Sequence, residues 1–201
     1  KEAVVSTIHV KHLVDMAPAE AWGEEFVFGA ETYHVGVPFF AAYFASAEAP
    51  EFTTHAGPQA AVSAGVAGWI DDQTRNARKV SDGEFTEQCP FLLVATPTLA
   101  DPGRAPGGNH TVKMVTFNAY DPGGGPGRWA AIKEGLIDRQ LETLRRHAPN
   151  FTDAVIHDRL VKSPLDIEQQ NRHMVHGAPH GDRKSTRLNS SHVRTSRMPS
   201  S

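Results

Sequence analysis

Apolar residues recur along this chain at distinct spacings, and the spacing separates helices from strands. The stretch "HVKHLVDM" places Val10, Leu13 and Val14 three and four residues apart, which predicts a short helix that ends before Pro18. A second helical segment is predicted over "AEAWGEEFVFGA". "AAVSAGVAGWIDDQTRNARK" favours a further helix over its second half. The weakly apolar face of that helix consists of Ile70, Thr74 and Ala77.

The clearest predicted helix follows the glycine-rich stretch "DPGGGPG" and ends at Pro149. Its apolar stripe is made by Trp129, Ile132, Leu136, Leu141 and Leu144. Further along, "FTDAVIHDRLVKS" predicts a short helix and then a strand. Ser163 is predicted to cap the next helix, with Pro164 in its first turn.

Continuous apolar runs predict the strands. Residues 33–46, "YHVGVPFFAAYFAS", predict a long buried strand interrupted near Pro38, and residues 1–6 predict the end of another. "PFLLVAT" predicts a strand covered on both faces, and "HTVKMVTFNAY" predicts a second strand that pairs with it antiparallel. Helices and strands alternate without an internal repeat, which favours an α/β or mixed α+β fold built in layers.

Composition narrows the class of protein. The 201 residues are 39% hydrophobic and 21% charged, as in soluble globular domains. The net charge of −3 gives no reason to expect a nucleic-acid partner. No apolar run approaches the roughly 18 residues of a membrane-spanning helix. The single cysteine, Cys89, excludes an internal disulfide and is expected to be a small buried hydrophobe.

The final twenty residues differ from the rest in charge. Residues 182–201 contain five basic residues and one acid, a net charge of +4. Since the whole chain has a net charge of −3, residues 1–181 have a net charge of −7. When "DRKSTRLNSSH" and "SRMPSS" are translated back into DNA, they resemble the two constant segments of a common sequencing adapter, both in the same reading frame. The residues between them occupy the place of the adapter's variable index. We therefore interpret residues 182–201 as a non-native tail, and the start at Lys1 as a cut in a longer protein.

Two stretches are candidates for chemistry. "DPGGGPGRW" follows a strand and opens a helix, but it fits neither glycine signature of nucleotide-binding loops, so we interpret it as a surface loop. "HMVHGAPHG" brings three imidazoles, those of His173, His176 and His180, close together in sequence. Because Gly177 and Pro179 would break a helix there and no carboxylate accompanies the histidines, a polar loop beside a ligand pocket is favoured over a metal site.

Several stretches together resemble the phytoene-desaturase-like FAD-dependent oxidoreductases, in particular the branch described as pyridine nucleotide-disulfide oxidoreductase domain-containing protein 2. These stretches are "AVVSTIHVKHL", "ATPTLADPGRAPGGNHTVKMVTFNAY", "APNF", "VKSPLDIEQQN" and "MVHGAPHGD". The likeness covers nearly all of residues 1–181. It implies a two-domain protein with a Rossmann-like FAD domain, of which this chain keeps a partial substrate domain with a sheet and covering helices.

The resemblance also implies a function. The parent protein is expected to transfer a hydride from a small apolar, isoprenoid-like substrate to FAD, and to lie in the cytoplasm, or in the mitochondrial matrix of a eukaryote. His176, Gly177, His180 and Gly181 are the implied residues near the flavin or the pocket mouth, and no catalytic acid or base is assigned. With the flavin domain removed, exposed apolar faces are expected to cause self-association into a homo-oligomer.

Two other functions remain open from the sequence. One is a non-catalytic binding or scaffold domain, for which the parent gene would lack an upstream G-x-G-x-x-G. The other is a metal-dependent enzyme that binds zinc or iron through His173, His176 and His180.

Overall fold

The computed structural model describes residues 5–88 and 90–179. The helices are α1 (Val10–Leu13), α2 (Ala19–Trp22), α3 (Glu24–Glu31), α4 (Ile70–Ser81), α5 (Trp129–Arg145) and α6 (Pro164–Gln170). The strands are β1 (Phe39–Ser46), β2 (Glu51–Thr54), β3 (Gly57–Ala60), β4 (Ser63–Ala67), β5 (Phe91–Ala95), β6 (His110–Phe117) and β7 (Ile156–Lys162). Short 3-10 turns cover Val14–Met16, Pro97–Leu99, Pro102–Arg104, Pro126–Arg128, Asp153–Val155 and Val175–Gly177.

Five strands form one antiparallel sheet in the order β4-β5-β6-β1-β7, while β2 and β3 form a separate hairpin. The predicted antiparallel pairing of "PFLLVAT" with "HTVKMVTFNAY" is confirmed, with Val94 opposite Met114. The prediction of a mixed α+β fold is confirmed as well, since helices accompany a wholly antiparallel sheet. The predicted boundary at residue 181 lies outside the described residues.

One face of the sheet builds the hydrophobic core together with α5. Alternation along each strand directs every second side chain to this face, which the buried residues identify. From the sheet the core takes Phe40, Ala42, Phe44, Leu92, Val94, Val112, Met114 and Val161; from α5 it takes Trp129, Leu136, Ile137, Leu141 and Leu144. The predicted α5 stripe is thereby confirmed, with Ile132 only partly buried.

Trp129 anchors the start of α5. Its ring stacks on Phe40 at a centroid distance of 5.4 Å and meets Phe85 edge-on at 5.6 Å. Its indole Nε1 donates a hydrogen bond of 2.8 Å to the Tyr120 carbonyl, so the one polar atom of a fully buried side chain is satisfied. The helix is therefore fixed both to the sheet and to the loop that precedes it.

Two strand predictions need correction. The predicted strand over residues 33–46 is shorter, because β1 begins at Phe39 and residues 33–38 form no strand. Pro38 has no N–H to donate, and Gly36 adds no packing side chain, so this part of the run lacks what holds a strand in a sheet. The run "PFLLVAT" is also not covered on both faces, because Leu93 of β5 remains 37% exposed.

The N-terminal helices agree with their prediction, with one interruption. Val10 and Leu13 lie in α1, and a 3-10 turn carries the chain on towards Pro18. Gly23, at φ +83°, divides the second predicted helix into α2 and α3. Trp22 and Phe26 still stack across the break, at 5.4 Å. Of the strand predicted for residues 1–6, only Val5 and Ser6 are described, and neither is in a strand.

Candidate functional site

The loop after α6 carries the histidines that the sequence singled out. Val175–Gly177 makes a 3-10 turn in which His176 and Gly177 adopt positive φ angles of 56° and 71°. A Cβ at Gly177 would lie 2.4 Å from the carbonyl oxygen of Pro164, so only glycine allows this approach. The close backbone approach therefore fixes the loop against the first turn of α6.

That first turn is itself tightly held. Ser163 and Asp166 form a capping box: the Ser163 hydroxyl accepts from the Asp166 N–H, and the Asp166 carboxylate accepts from the Ser163 N–H at 2.8 Å. Lys133 of α5 donates to the same carboxylate at 2.8 Å. Burial alone would raise the pKa of Asp166, but the hydrogen bonds from Lys133 and Ser163 outweigh it and lower that pKa. The predicted cap at Ser163 is confirmed.

A carboxylate joins the histidine loop to the sheet. Glu168 on α6 accepts the backbone N–H of His176 at 2.7 Å and also accepts the hydroxyl of Tyr120, which follows β6. The Tyr120 and His176 rings stack at 4.6 Å with an interplanar angle of 27°. Burial and the bond to Glu168 raise the pKa of Tyr120 to about 12. Tyr120 is thus a neutral phenol at physiological pH, and its role in this arrangement is to hold the loop.

His176 and Tyr120 line a cavity of about 330 Å³. Most of its wall comes from the irregular segment 33–38 and from the end of α4, and Lys11 of α1 adds a cation. The ammonium of Lys11 donates to the carbonyls of Ala30 and Glu31, at 3.3 and 3.0 Å. The remaining lining residues are Tyr33, His34, Val35, Gly36, Val37, Pro38, Val80, Ser81 and Gly83.

An apolar groove of about 520 Å³ adjoins this cavity between α4 and the sheet. Cavity and groove share Val37, Val80 and Ser81, so a continuous surface leads from one to the other. The aromatic end of the groove is formed by Phe91 and Phe117, whose rings are parallel within 11° at 6.2 Å. The other lining residues are Ile70, Gln73, Thr74, Asn76, Ala77 and Pro90.

Three imidazoles meet beside the cavity. His9 and His12 of the N-terminal segment both contact the loop that carries His173. His173 Nδ1 accepts the His9 backbone N–H at 3.2 Å, and His12 Nε2 lies 2.8 Å from the Arg172 carbonyl oxygen. In residues 5–88 and 90–179, no group of three or more His, Cys, Asp or Glu side chains is arranged to hold a metal ion.

In the glycine turn before α5, the side chain of Asp121 already binds the backbone N–H groups. Asp121 Oδ1 accepts the N–H groups of Gly123 and Gly125, at 2.8 and 2.9 Å, and Arg128 donates to the Gly123 carbonyl at 3.0 Å. A phosphate would need those N–H groups. The interpretation of this stretch as a surface loop rather than a nucleotide cradle agrees with this geometry.

The four residues implied for the flavin or pocket mouth have different surroundings. His176 lines the cavity, Gly177 faces Pro164, and His180 and Gly181 lie outside the described residues. Sequence reasoning missed Tyr120 and Glu168, which are 48 residues apart and show no shared motif. It also missed Lys11, because a single lysine in a short helix belongs to no sequence motif that would indicate a binding site.

Comparison with known families adds no assignment. Searching the chain against protein-family models produced no match. Among the described helices, none is both long and apolar enough to cross a membrane.

Proposed function

We propose that this chain is the substrate-holding part of a FAD-dependent oxidoreductase that oxidises a small apolar, isoprenoid-like molecule. The observation that carries the proposal is the continuity between the apolar groove and the cavity lined by Tyr120 and His176. An elongated apolar substrate in the groove would present one end to this polar cavity, where a reactive group could meet it.

The described residues suit the ring system of FAD better than its pyrophosphate. The cavity offers the stacked rings of Tyr120 and His176, the cation of Lys11 and a third ring at Tyr33, which fit a flat ring system with polar edges. The glycine turn at Gly123 and Gly125 does not suit the pyrophosphate, because its N–H groups bind Asp121. The resemblance places the pyrophosphate-binding turn in a separate segment, which is consistent with this difference.

In the proposed reaction the substrate would lose a hydride and a proton from adjacent carbons and gain a double bond; the chemistry that bound FAD would supply is the uptake of the hydride with its two electrons. The groove residues orient the reacting carbon and exclude water. Glu168 accepts hydrogen bonds from the Tyr120 hydroxyl and from the His176 N–H, so this pair positions the loop. No residue is assigned as the proton acceptor.

The test uses the parent protein that this proposal implies, expressed from the open reading frame at the genomic locus. We expect the purified protein to contain FAD, and an isoprenoid hydrocarbon to bleach the flavin absorbance without oxygen. Ala77→Arg, which places a charged side chain in the groove from an exposed helix position, is expected to slow bleaching by at least about tenfold at unchanged flavin content. Val62→Arg, which also introduces arginine but outside the groove, is the matched control.

The possible outcomes separate the alternatives. A parent protein that binds the hydrocarbon without any flavin would be a non-catalytic binding domain and would contradict the proposal. Equal bleaching rates for Ala77→Arg and Val62→Arg would show that the substrate does not use the groove.

A further inference from the structure

The sheet face opposite the core carries a row of side chains that crosses three strands. Tyr43 of β1 lies opposite Lys113 of β6 on one side and opposite Leu160 of β7 on the other, and directly opposed residues point to the same face. Tyr43 is 40% exposed and Leu160 54% exposed, whereas their strand neighbours Phe44 and Val161 are buried in the core. This open face therefore presents apolar surface to solvent around a central lysine.

Lys113 is the unusual member of the row. It is half-buried on the strand between β5 and β1, and its ammonium lies 5.4 Å from the centroid of the Tyr43 ring. Within residues 5–88 and 90–179 it forms no salt bridge. The ring face attracts the cation but leaves its three N–H donors available, and no carboxylate of the described residues is paired with it.

Lys113 borders a depression of about 430 Å³. Apolar surface comes from Tyr43, Leu160 and other residues, and Thr111 adds a hydroxyl. The full lining is Tyr43, Phe44, Ala45, Pro97, Arg104, Thr111, Val112, Lys113, Asp158, Arg159 and Leu160.

The two arginines around the depression already have carboxylate partners. Arg104 pairs with Asp101 at 3.3 Å, whereas Asp158 accepts only the backbone N–H of Arg159, at 2.8 Å, and forms no salt bridge among the described residues. The Arg159 guanidinium pairs with two carboxylates of α5, those of Glu134 and Asp138. Charge complementarity therefore favours one anionic group, placed at Lys113.

Apolar surface continues from Lys113 towards the groove. Val115 and Phe117 follow Lys113 on the same face of β6, but Val115 is buried, so the surface at this level comes from Leu93 of β5, which lies opposite Val115 and is 37% exposed. Four residues of strand place Phe117 about 13 Å from Lys113. A molecule with an anionic head at Lys113 could thus lay a linear apolar tail along the sheet to the aromatic end of the groove.

We propose that the open face of the sheet binds a linear amphipathic carboxylate, with its head group at Lys113 and its tail over Leu93 towards Phe117. This goes beyond the proposed function, because the binding needs no flavin. If the proposed function also holds, binding of a substrate's carboxylate at Lys113 would set how far its apolar tail extends towards the cavity.

The test titrates the 201-residue chain with dodecanoate, kept below its micelle-forming concentration, and with dodecanol as the neutral probe of equal chain length. Calorimetry is expected to show that dodecanoate binds more tightly than dodecanol and that salt weakens only dodecanoate binding. Lys113→Met should weaken dodecanoate binding about tenfold, leave dodecanol unchanged, and be rescued in large part by Lys113→Arg.

A lysine on the same face provides the matched control. Lys162 lies opposite Ala41 and its ammonium binds Gln170, so Lys162→Met is expected to leave the affinity for dodecanoate unchanged. Leu93→Asp, at a partly exposed position, should weaken both probes. The proposal is overturned if dodecanoate does not bind, if dodecanol binds equally well, or if Lys113→Met and Lys162→Met behave alike. Circular dichroism verifies that each variant is folded.

Discussion

Gly177 fixes the loop of the candidate site through the absence of a side chain. Its φ of +71° and its contact with Pro164 combine two constraints that usually occur separately. We expect Gly177→Ala to lower the free energy of unfolding by about 3 kcal/mol, because the alanine adds backbone strain and a clash with a rigid backbone atom. Denaturant unfolding measures this loss.

A second glycine separates the two contributions. Gly124 has φ +87°, but an added Cβ would have no neighbour within 4 Å. Gly124→Ala should therefore cost only about 1 kcal/mol, the strain alone. Equal losses in the two variants would mean that the contact with Pro164 does not constrain the loop.

His9 makes the N-terminal cap of α1 depend on pH. Its Nδ1 accepts the Lys11 N–H and so caps α1, a bond that is lost when this nitrogen is protonated. Burial lowers the pKa of His9 below 6.5, and the nearby charges of His12, Lys11 and His173 lower it further. Because the folded pKa is the lower one, the stabilisation is complete above pH 6.5 and is lost as the pH falls through the folded pKa.

We therefore expect amide hydrogen exchange in α1, corrected for its intrinsic pH dependence, to accelerate at pH 5 relative to pH 7.5. His9→Asn keeps a side-chain acceptor at the N-cap but does not titrate, so it should remove this difference. A pH difference that persists in His9→Asn would assign the effect to another group.

At this scale, sequence reasoning succeeded where the cause was local. Ser163 was predicted as a cap because Pro164 follows it in the first turn, and its partner Asp166 lies only three residues away. Tyr120 and Glu168 could not be paired from the sequence, since only the fold brings them together. His176 was singled out because it lies in a cluster of histidines beside glycines. Its contacts with Tyr120 and Glu168 could not be predicted, since they too form only when the fold brings distant residues together.

Among the elements, α6 is tied to α5 through the carboxylate of Asp166. Asp166 accepts hydrogen bonds from Ser163 and from Lys133, and its side chain is 32% exposed. Asp166→Ala is expected to cost about 2 kcal/mol of unfolding free energy, because the N-terminal box and a partly buried ion pair are lost together.

The comparison variant is Asp153→Ala, which removes a carboxylate that pairs with Arg145 but is 88% exposed. Its cost should stay below about 1 kcal/mol, as for most surface ion pairs. Thermal or denaturant unfolding of both variants would reveal the difference; a larger loss in Asp153→Ala would reverse the order we expect.

Periodicity predicted the long elements because their apolar spacing reflects one buried face. The α5 stripe and strands β5 and β6 are examples. The hairpin of β2 and β3 was missed, since "EFTTHAGPQA" is short and mostly exposed and so carries little alternation. The segment 33–38 was taken for strand because apolar side chains that line a cavity look, in sequence, like those of a buried strand.

For the whole molecule, the exposed apolar surface predicts association between copies. Tyr43, Leu93 and Leu160 are exposed on the open face of the sheet. We expect sedimentation velocity to show a concentration-dependent increase in mass, and Leu160→Lys to reduce it. Phe28→Lys, at a residue of α3 that is 61% exposed, should reduce association less. A chain that remains monomeric across the concentration range would contradict this expectation.

The sheet order has a further consequence during synthesis of the protein. β1, with the sequence "FFAAYFAS", is synthesised well before its two neighbours, β6 and β7, which begin only at His110 and Ile156. Until then this aromatic segment has no strand beside it, and nascent chains on neighbouring ribosomes could pair with it instead. Productive folding in the cell should therefore depend on chaperones that shield this segment until translation has passed β7.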